Sequence, residues 1–271
     1  MSARLIGVVN VTPDSFSDGG EFLEARAAIE QGWALAREGA DVVDVGGEST
    51  RPGAGAVDAA EELGRVGPVL DGLVGVGVPV SIDTSKTQVA AAAIDAGATI
   101  VNDVTALRAE PDLAALCAER RVEVVLMHMQ GTPRTMQQDP TYDDVVDDVR
   151  AFLVERIEFA VESGIDEERI WVDPGIGFGK TVNHNLELLR RLGEFKSLGR
   201  PLVVGTSRKS FIGKITGREA HDRLGGTVAS NVLALALSAD LLRVHDVKEV
   251  FEAVRFTEAA VGERDWRAPT A

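Results

Sequence analysis

Eight short apolar runs punctuate this chain, and each gives way to polar residues followed by a stretch of helix-like pattern. The runs are Leu5 to Val9, Val42 to Val45, Pro79 to Ile82, Thr99 to Val101, Glu123 to Met127, Ile170 to Val172, Leu202 to Val204 and Leu241 to Leu242. Runs of this length between helical segments read as buried parallel strands. Behind them come Asn10, Gly46-Gly47-Glu48, Asp83, Asn102, His128, Asp173, Ser207-Arg208-Lys209, and Arg243 with His245. Groups able to bind a charged, hydrogen-bonding ligand therefore gather at one end of every strand. The alternation predicts an α/β fold: a single (β/α)8 TIM barrel with its active site at the C-terminal ends of the strands.

The length agrees. A parallel α/β barrel needs about 250 residues, and the chain has 271. Residues 1–271 read as one domain, with a core over about 5–262 and a short C-terminal tail. Helical stripes are visible at Ala25, Ala28, Ile29, Gly32 and Ala36, and at Val145, Val149, Phe152, Leu153, Ile157, Ala160 and Val161. Gly39, Gly97 and Gly164 suit left-handed helix caps before the next strand. A weak repeat of cap and strand places Asp44, Asn102 and Arg243 in equivalent slots. A doubly wound open sheet is the structural alternative. It would usually carry a Gly-x-Gly-x-x-Gly turn after its first strand. Here that strand enters the polar loop Asn10 to Gly20 instead.

Charge and cysteine content narrow the function. The formal net charge is −15 with no basic stripe, which argues against nucleic acid as a partner. An anion site must then rest on local cations, a metal or helix N-termini. The acidic cluster Asp143, Asp144, Asp147 and Asp148 reads as a solvated helix face. No apolar stretch reaches the roughly 18 residues that suggest a membrane span. The N-terminus has no secretory pattern. Cys117 is the single cysteine and reads as a packing residue. A cytoplasmic location is expected.

Three strand-end residues carry the first chemical signal. A carboxylate is a double acceptor that matches a flat ligand edge with two adjacent N–H groups. An Asn amide adds a donor and an acceptor. Asp83, Asn102 and Asp173 supply such a set. The plainer reading of Asp83 is a helix N-cap within Asp83-Thr84-Ser85-Lys86. Asp173 precedes Pro174, which favours extended backbone over a cap.

Arg243 and His245 stand two apart and share one strand face. With Lys209 and Ser210 after the seventh strand, they make an expected phosphate site, since barrels often bind phosphate there. The competing readings are a salt bridge from Arg243 to Asp44 and a helix cap for His245 beside Asp246. Ser49, Thr50 and Arg51 lie in a glycine- and proline-rich loop and can clasp an anion. Asn10 could offer a neutral oxygen to Mg²⁺. The glycine-rich Asp173 to Lys180 segment lacks Walker-loop spacing. His128, His184 and His221 have no partner at metal-ligand spacing, so zinc is not expected.

Taken together, the segments Asn10 to Gly20, Gly46 to Gly53, Ser81 to Thr84, Asn102-Asp103, Asp173 to Lys180, Ser207 to Ile212 and Arg243 to Asp246 resemble the dihydropteroate synthase family. The likeness runs from about Ile6 to Val261. It implies a folate-pathway transferase, a sulfonamide target. Such an enzyme joins 6-hydroxymethyl-7,8-dihydropterin diphosphate to para-aminobenzoate by dissociative substitution, releasing diphosphate. It implies that Asp83, Asn102, Asp173 and Lys209 hold the pterin. It implies that Asn10, Thr50, Arg51, Arg243 and His245 hold the diphosphate, with Mg²⁺ on Asn10. Para-aminobenzoate would meet Phe16, Thr50, Pro52, Phe178 and Ser210. Asp14, Arg243, His245 and Lys209 would act in catalysis. The family also implies a homodimer. Ser238-Ala239 stands where the family often has Gly-Ala, a cap variation.

Three other functions compete. A methyltetrahydrofolate-dependent methyltransferase barrel would share the pterin residues but has no need for the diphosphate grip. A non-catalytic pterin-binding paralogue would not need all the polar positions. A Schiff-base aldolase would use Lys209 as a nucleophile.

Overall fold

A computed structural model of the protein describes residues 3–12, 21–50 and 53–261. Eight strands are found among them: β1 (Arg4–Asn10), β2 (Val42–Gly46), β3 (Val80–Asp83), β4 (Ile100–Asp103), β5 (Glu123–Met127), β6 (Ile170–Asp173), β7 (Val203–Val204) and β8 (Leu241–Val244). Helices alternate with them: α1 (Glu21–Arg37), α2 (Ala59–Gly72), α3 (Thr87–Asp95), α4 (Asp112–Arg120), α5 (Val145–Glu162), α6 (Val182–Arg190), α7 (Ser210–Thr216), α8 (Leu224–Ala236) and α9 (Val247–Ala260). Every strand pair is parallel, in the order β6-β5-β4-β3-β2-β1-β8-β7. The ring is completed between β6 and β7 by one bridge, Val172 to Leu202, and by the Val172 N–H donating to Pro201 O at 3.0 Å. The architecture is the expected barrel.

Strand alternation divides the side chains between two cores. Ile6, Val42, Ile100, Val125, Trp171, Val203 and Leu241 form a cluster inside the ring. Outward positions such as Val9, Val45, Ile82, Val124, Val172 and Val244 pack in a much larger core against the helices. Two residues beyond the inner cluster, the same inward parity reaches Asp44, Asn102, Asp173 and Arg243. The sequence therefore floors the barrel with apolar side chains and lines its mouth with polar ones.

Caps fix where the helices begin and end. Gly39, Gly97 and Gly164 have φ of 108°, 108° and 93°, which an L side chain resists. Ser238 takes the same role before β8 at φ 81°, in the left-handed region. The acidic run around the start of α5 is more than a solvated face. Asp144 caps the helix, accepting from Val146 N at 2.9 Å and Asp147 N at 3.0 Å, and pairs with Arg191 at 2.7 Å. Val161, placed on the buried stripe by periodicity, is 36% exposed at the end of α5. Asp83 is not an N-cap. α3 starts four residues later, with Lys86 in the cap position, and Glu110 accepts from the Thr87 N–H at 2.7 Å. Cys117 is buried, and burial pushes its thiol up to about 12, so it stays protonated. Among the described residues no helix is long and apolar enough to cross a membrane. The tail after Val261 lies outside the described residues.

Candidate active site

Four strands bring a buried polar network together at the barrel mouth. Arg243 on β8 donates from Nε to Asp44 Oδ2 on β2 and from Nη2 to Asp83 Oδ2 on β3, each at 2.7 Å. Asn102 on β4 donates from Nδ2 to the same Asp44 oxygen at 3.1 Å. Asp44, Asp83 and Asn102 are buried, and Arg243 is about a fifth exposed. The salt bridge to Asp44 is thus present, with Asp83 as a second acceptor, and two donors of Arg243 are engaged by carboxylates. Asp44 Oδ1 is buried with no hydrogen-bond partner.

Asp173, at the end of β6, holds the next turn. Its Oδ1 accepts from Gly175 N at 2.7 Å. Gly175 has φ 66°, and a Cβ there would stand 1.8 Å from His128 O, so only glycine fits. Lys209 reaches across from the β7–α7 loop, donates to Ile176 O, and lies 4.7 Å from the Phe178 ring centre. Asp173 and Lys209 face each other electrostatically.

A third group sits beside β1. His245 Nδ1 and Ser207 Oγ are 3.0 Å apart, and His245 Nε2 lies 3.4 Å from Asn10 Nδ2. If the Asn amide donates to Nε2, the imidazole carries its proton on Nδ1 and donates to Ser207. His245 does not cap α9. The residue in that position, Asp246, is tied to Arg208.

Burial sets the charges. It pushes the Asp83 carboxyl up to about 7 despite the pull of Arg243, and the negative charge of Asp44 adds to the rise. Burial also raises Asp173, against Lys209, the Gly175 N–H and Arg243. Desolvation lowers the Lys209 ammonium to about 8, with Asp173 opposing. For Arg243 burial disfavours the charge, but Asp44 and Asp83 outweigh it and hold the guanidinium firmly protonated. Three carboxyl groups thus meet two cations, an arrangement suited to a polar heterocycle that gains positive charge as it reacts.

The remaining expected residues are placed less centrally. Thr50 is half-buried after β2, Phe178 is half-buried beside Lys209, and Ser210 is exposed at the first turn of α7. Asp14, Phe16, Arg51 and Pro52 lie outside the described residues. His128 points away from the mouth, bonding Lys180 Nζ through Nδ1 at 2.9 Å and packing on Phe152. The sequence reading gave Asp44 too small a role, although inward parity and the repeat slot both pointed to it. It placed Ser207 among the strand-end groups but missed its link to His245, which depends on neighbouring strands. It also missed Lys86, which bonds Glu48 and the fully buried Glu62 and so anchors the chain just before Thr50.

The chain matches the family model described as "Pterin binding enzyme" over residues 6–245. It is 45% identical to the dihydropteroate synthase of Escherichia coli K12, over 97% of this chain and 93% of that protein. The chain belongs to the dihydropteroate synthase family. Solved dihydropteroate synthases agree in three dimensions. The Xanthomonas albilineans enzyme with 4-aminobenzoic acid superposes with a TM-score of 0.91 at 50% identity, covering 96% of this chain and 93% of that one. A complex of the X. albilineans enzyme with 7,8-dihydropteroate gives 0.87 at 46% identity, covering 96% and 94%. The Yersinia pestis enzyme with a sulfonamide drug complex gives 0.91 at 42%, covering 96% and 95%.

Proposed function

We propose that this chain condenses 6-hydroxymethyl-7,8-dihydropterin diphosphate with para-aminobenzoate, giving 7,8-dihydropteroate and diphosphate. The observation that carries the reading is the buried acceptor set of Asp83, Asn102 and Asp173, closed around by Arg243 and Lys209. Asp83, Asn102 and Asp173 pair with the donor edge of the pterin, and Lys209 meets an acceptor on the ring. Arg243 gives up part of its carboxylate pairing to the diphosphate and, with His245, stabilises the charge that develops on the leaving oxygen. The carbon–oxygen bond breaks first. The carbon left behind is a cation delocalised into the electron-rich dihydropterin, and the carboxylates oppose its positive charge. The aniline nitrogen of para-aminobenzoate then supplies its electron pair to that carbon and loses a proton. Thr50 and Ser210, with Phe178, are the described residues assigned to para-aminobenzoate, and Phe16 and Pro52 complete that set; Arg51 belongs with the diphosphate group and Asp14 with the catalytic one.

Asn10 has the chemistry for Mg²⁺. Its amide nitrogen is turned to His245, which leaves the amide oxygen for a hard cation. One neutral oxygen cannot retain such an ion alone, and no cluster of three or more His, Cys, Asp or Glu suited to a metal occurs among the described residues. The set therefore fits a cation that arrives on the diphosphate and keeps several waters. When bound, that ion would neutralise phosphate charge beside Arg243.

The same reading includes a homodimer and a cytoplasmic location. Ile215, Leu224, Leu233 and Phe256 are exposed on neighbouring helices α7, α8 and α9, and pairing would cover them. Sedimentation velocity of the wild-type chain decides between monomer and dimer. For the activity, purified protein is incubated with both substrates, and dihydropteroate and diphosphate are quantified together. Equal yields support the reading, and their absence rejects it. Full turnover in excess chelator would remove the metal.

A further inference from the structure

The turn between β6 and α6 has an uncommon hydrogen-bond pattern. Four consecutive carbonyls each accept from a side chain. Ile176 O takes Lys209 Nζ, Gly177 O takes Gln137 Nε2 at 2.8 Å, Phe178 O takes Lys180 Nζ at 2.9 Å, and Gly179 O takes the Tyr142 hydroxyl at 2.7 Å. The Gly177 N–H is held as well, by Asn185 Oδ1 at 2.7 Å. Gly175, Gly177 and Gly179 have φ of 66°, 88° and 63°, so the turn cannot rely on helical or sheet bonds for its shape. Gln137, which like Tyr142 comes from the β5–α5 loop, differs from its companions in one respect: it is exposed, while Tyr142 and Lys209 are half-buried and Lys180 is deeply buried.

Gly177 is wedged between Gln137 and Lys209. A Cβ on Gly177 would lie 2.9 Å from Lys209 Cδ, so the glycine backbone backs the lysine stem. The carbonyl before Gly177 receives the ammonium, and the ring after it lies against that ammonium. We propose that Gln137 is a positioning residue for the pterin slot, fixing residues 176–178 so that Lys209 presents its ammonium at one point. The proposal rests on the function given above. It adds a residue remote from the strand ends and outside the polar segments that carry the family resemblance.

Electrostatics supply a diagnostic. The groups facing Lys209 are Asp173, Arg243, Lys180, Ile176 O and the Phe178 ring. Burial already brings Lys209 down to about 8. Loosening its carbonyl partner removes support for the charged form and lowers it further.

The test compares wild type with Gln137→Met and Gln137→Ala, which remove the donor with and without shortening the side chain. Loss of one hydrogen bond is expected to weaken pterin diphosphate affinity by calorimetry, and to raise its KM, roughly 3- to 10-fold. The KM for para-aminobenzoate should change less. The thermal midpoint should stay within about 2 °C, because Gln137 is exposed. The alkaline limb of kcat/KM for the pterin should move to lower pH. Unchanged pterin affinity with an unmoved alkaline limb overturns the proposal. So does a weakening of both substrates alike together with a large fall in midpoint, which would mark a merely structural role. If wild type binds the pterin diphosphate but forms no product, the function reading fails and the affinity arm still decides Gln137. If wild type binds no pterin, both fail.

Discussion

Replacing Arg243 with methionine is the most informative perturbation of the mouth. The substitution keeps much of the side-chain length and removes both bonds to Asp44 and Asp83. Two buried carboxyl groups then face each other without their shared cation. Breaking one side of a buried ion pair costs about 3–5 kcal/mol, which for a chain of this size is roughly 10 °C in thermal midpoint. The loss must depend on pH. Unfolded, the Asp83 carboxyl ionises near 3.8; folded, burial holds it at about 7. Between those values the unfolded chain releases a proton that the folded chain keeps, so stability falls as pH rises. In wild type that decline ends near the folded value. Without Arg243 the folded value climbs, and the decline continues upward. The gap between variant and wild type should therefore be wider at about pH 8.5 than at about pH 6. Urea unfolding at both pH values measures it. Adding Asp44→Asn to the variant should recover part of the loss by removing the second uncompensated charge. A gap below about 1 kcal/mol, the scale of a surface pair, or one equal at both pH values, would refute the account of this network. Turnover should fall on the order of 10²-fold or more, as for removal of a charge-stabilising donor.

Asp173→Ala should cost up to roughly 10⁴-fold in pterin affinity, because a buried donor edge of the ligand would lose its acceptor; unchanged calorimetric binding would remove Asp173 from the slot. Lys209 loses its charge as pH rises through about 8, so pterin affinity should decline above that value and hold below it, which a pH series of Kd reads directly. Ser238→Gly should raise stability by about 0.5–1 kcal/mol, since relief of left-handed strain outweighs the added freedom of the unfolded chain; an unaltered or lower denaturation midpoint would contradict the strain.

The barrel was legible because its strands are short apolar runs ending in polar residues, and a period of two carries that pattern to the mouth without knowledge of the helices. Asp83, Asn102 and Asp173 were readable for the same reason: each follows its apolar run at or next to the strand end, facing inward. Asp44 was harder. It lies inside a run, one residue before Val45, and the sequence offers it only as a salt-bridge partner for Arg243; that Asn102 bonds the same carboxylate oxygen is a product of the fold. Lys86 with Glu48 and Glu62 joins three segments of the chain, and Ser207 meets His245 from the adjoining strand; linear spacing encodes neither. The grip of Gln137 on Gly177 spans 40 positions and has no local signature.

The barrel ring has a single clasp. Among the described residues the backbone pairing between β6 and β7 runs through Val172 and the Pro201-Leu202 stretch alone, whereas the other neighbouring strands share longer ladders. Asp173 stands on one lip of that opening and Lys209 on the other, so a ligand gripped by both fastens the least-stitched join of the molecule. Amide protons of Val172 and Leu202 should then exchange with solvent sooner than those of β1 or β2, and saturating pterin should slow them most of all.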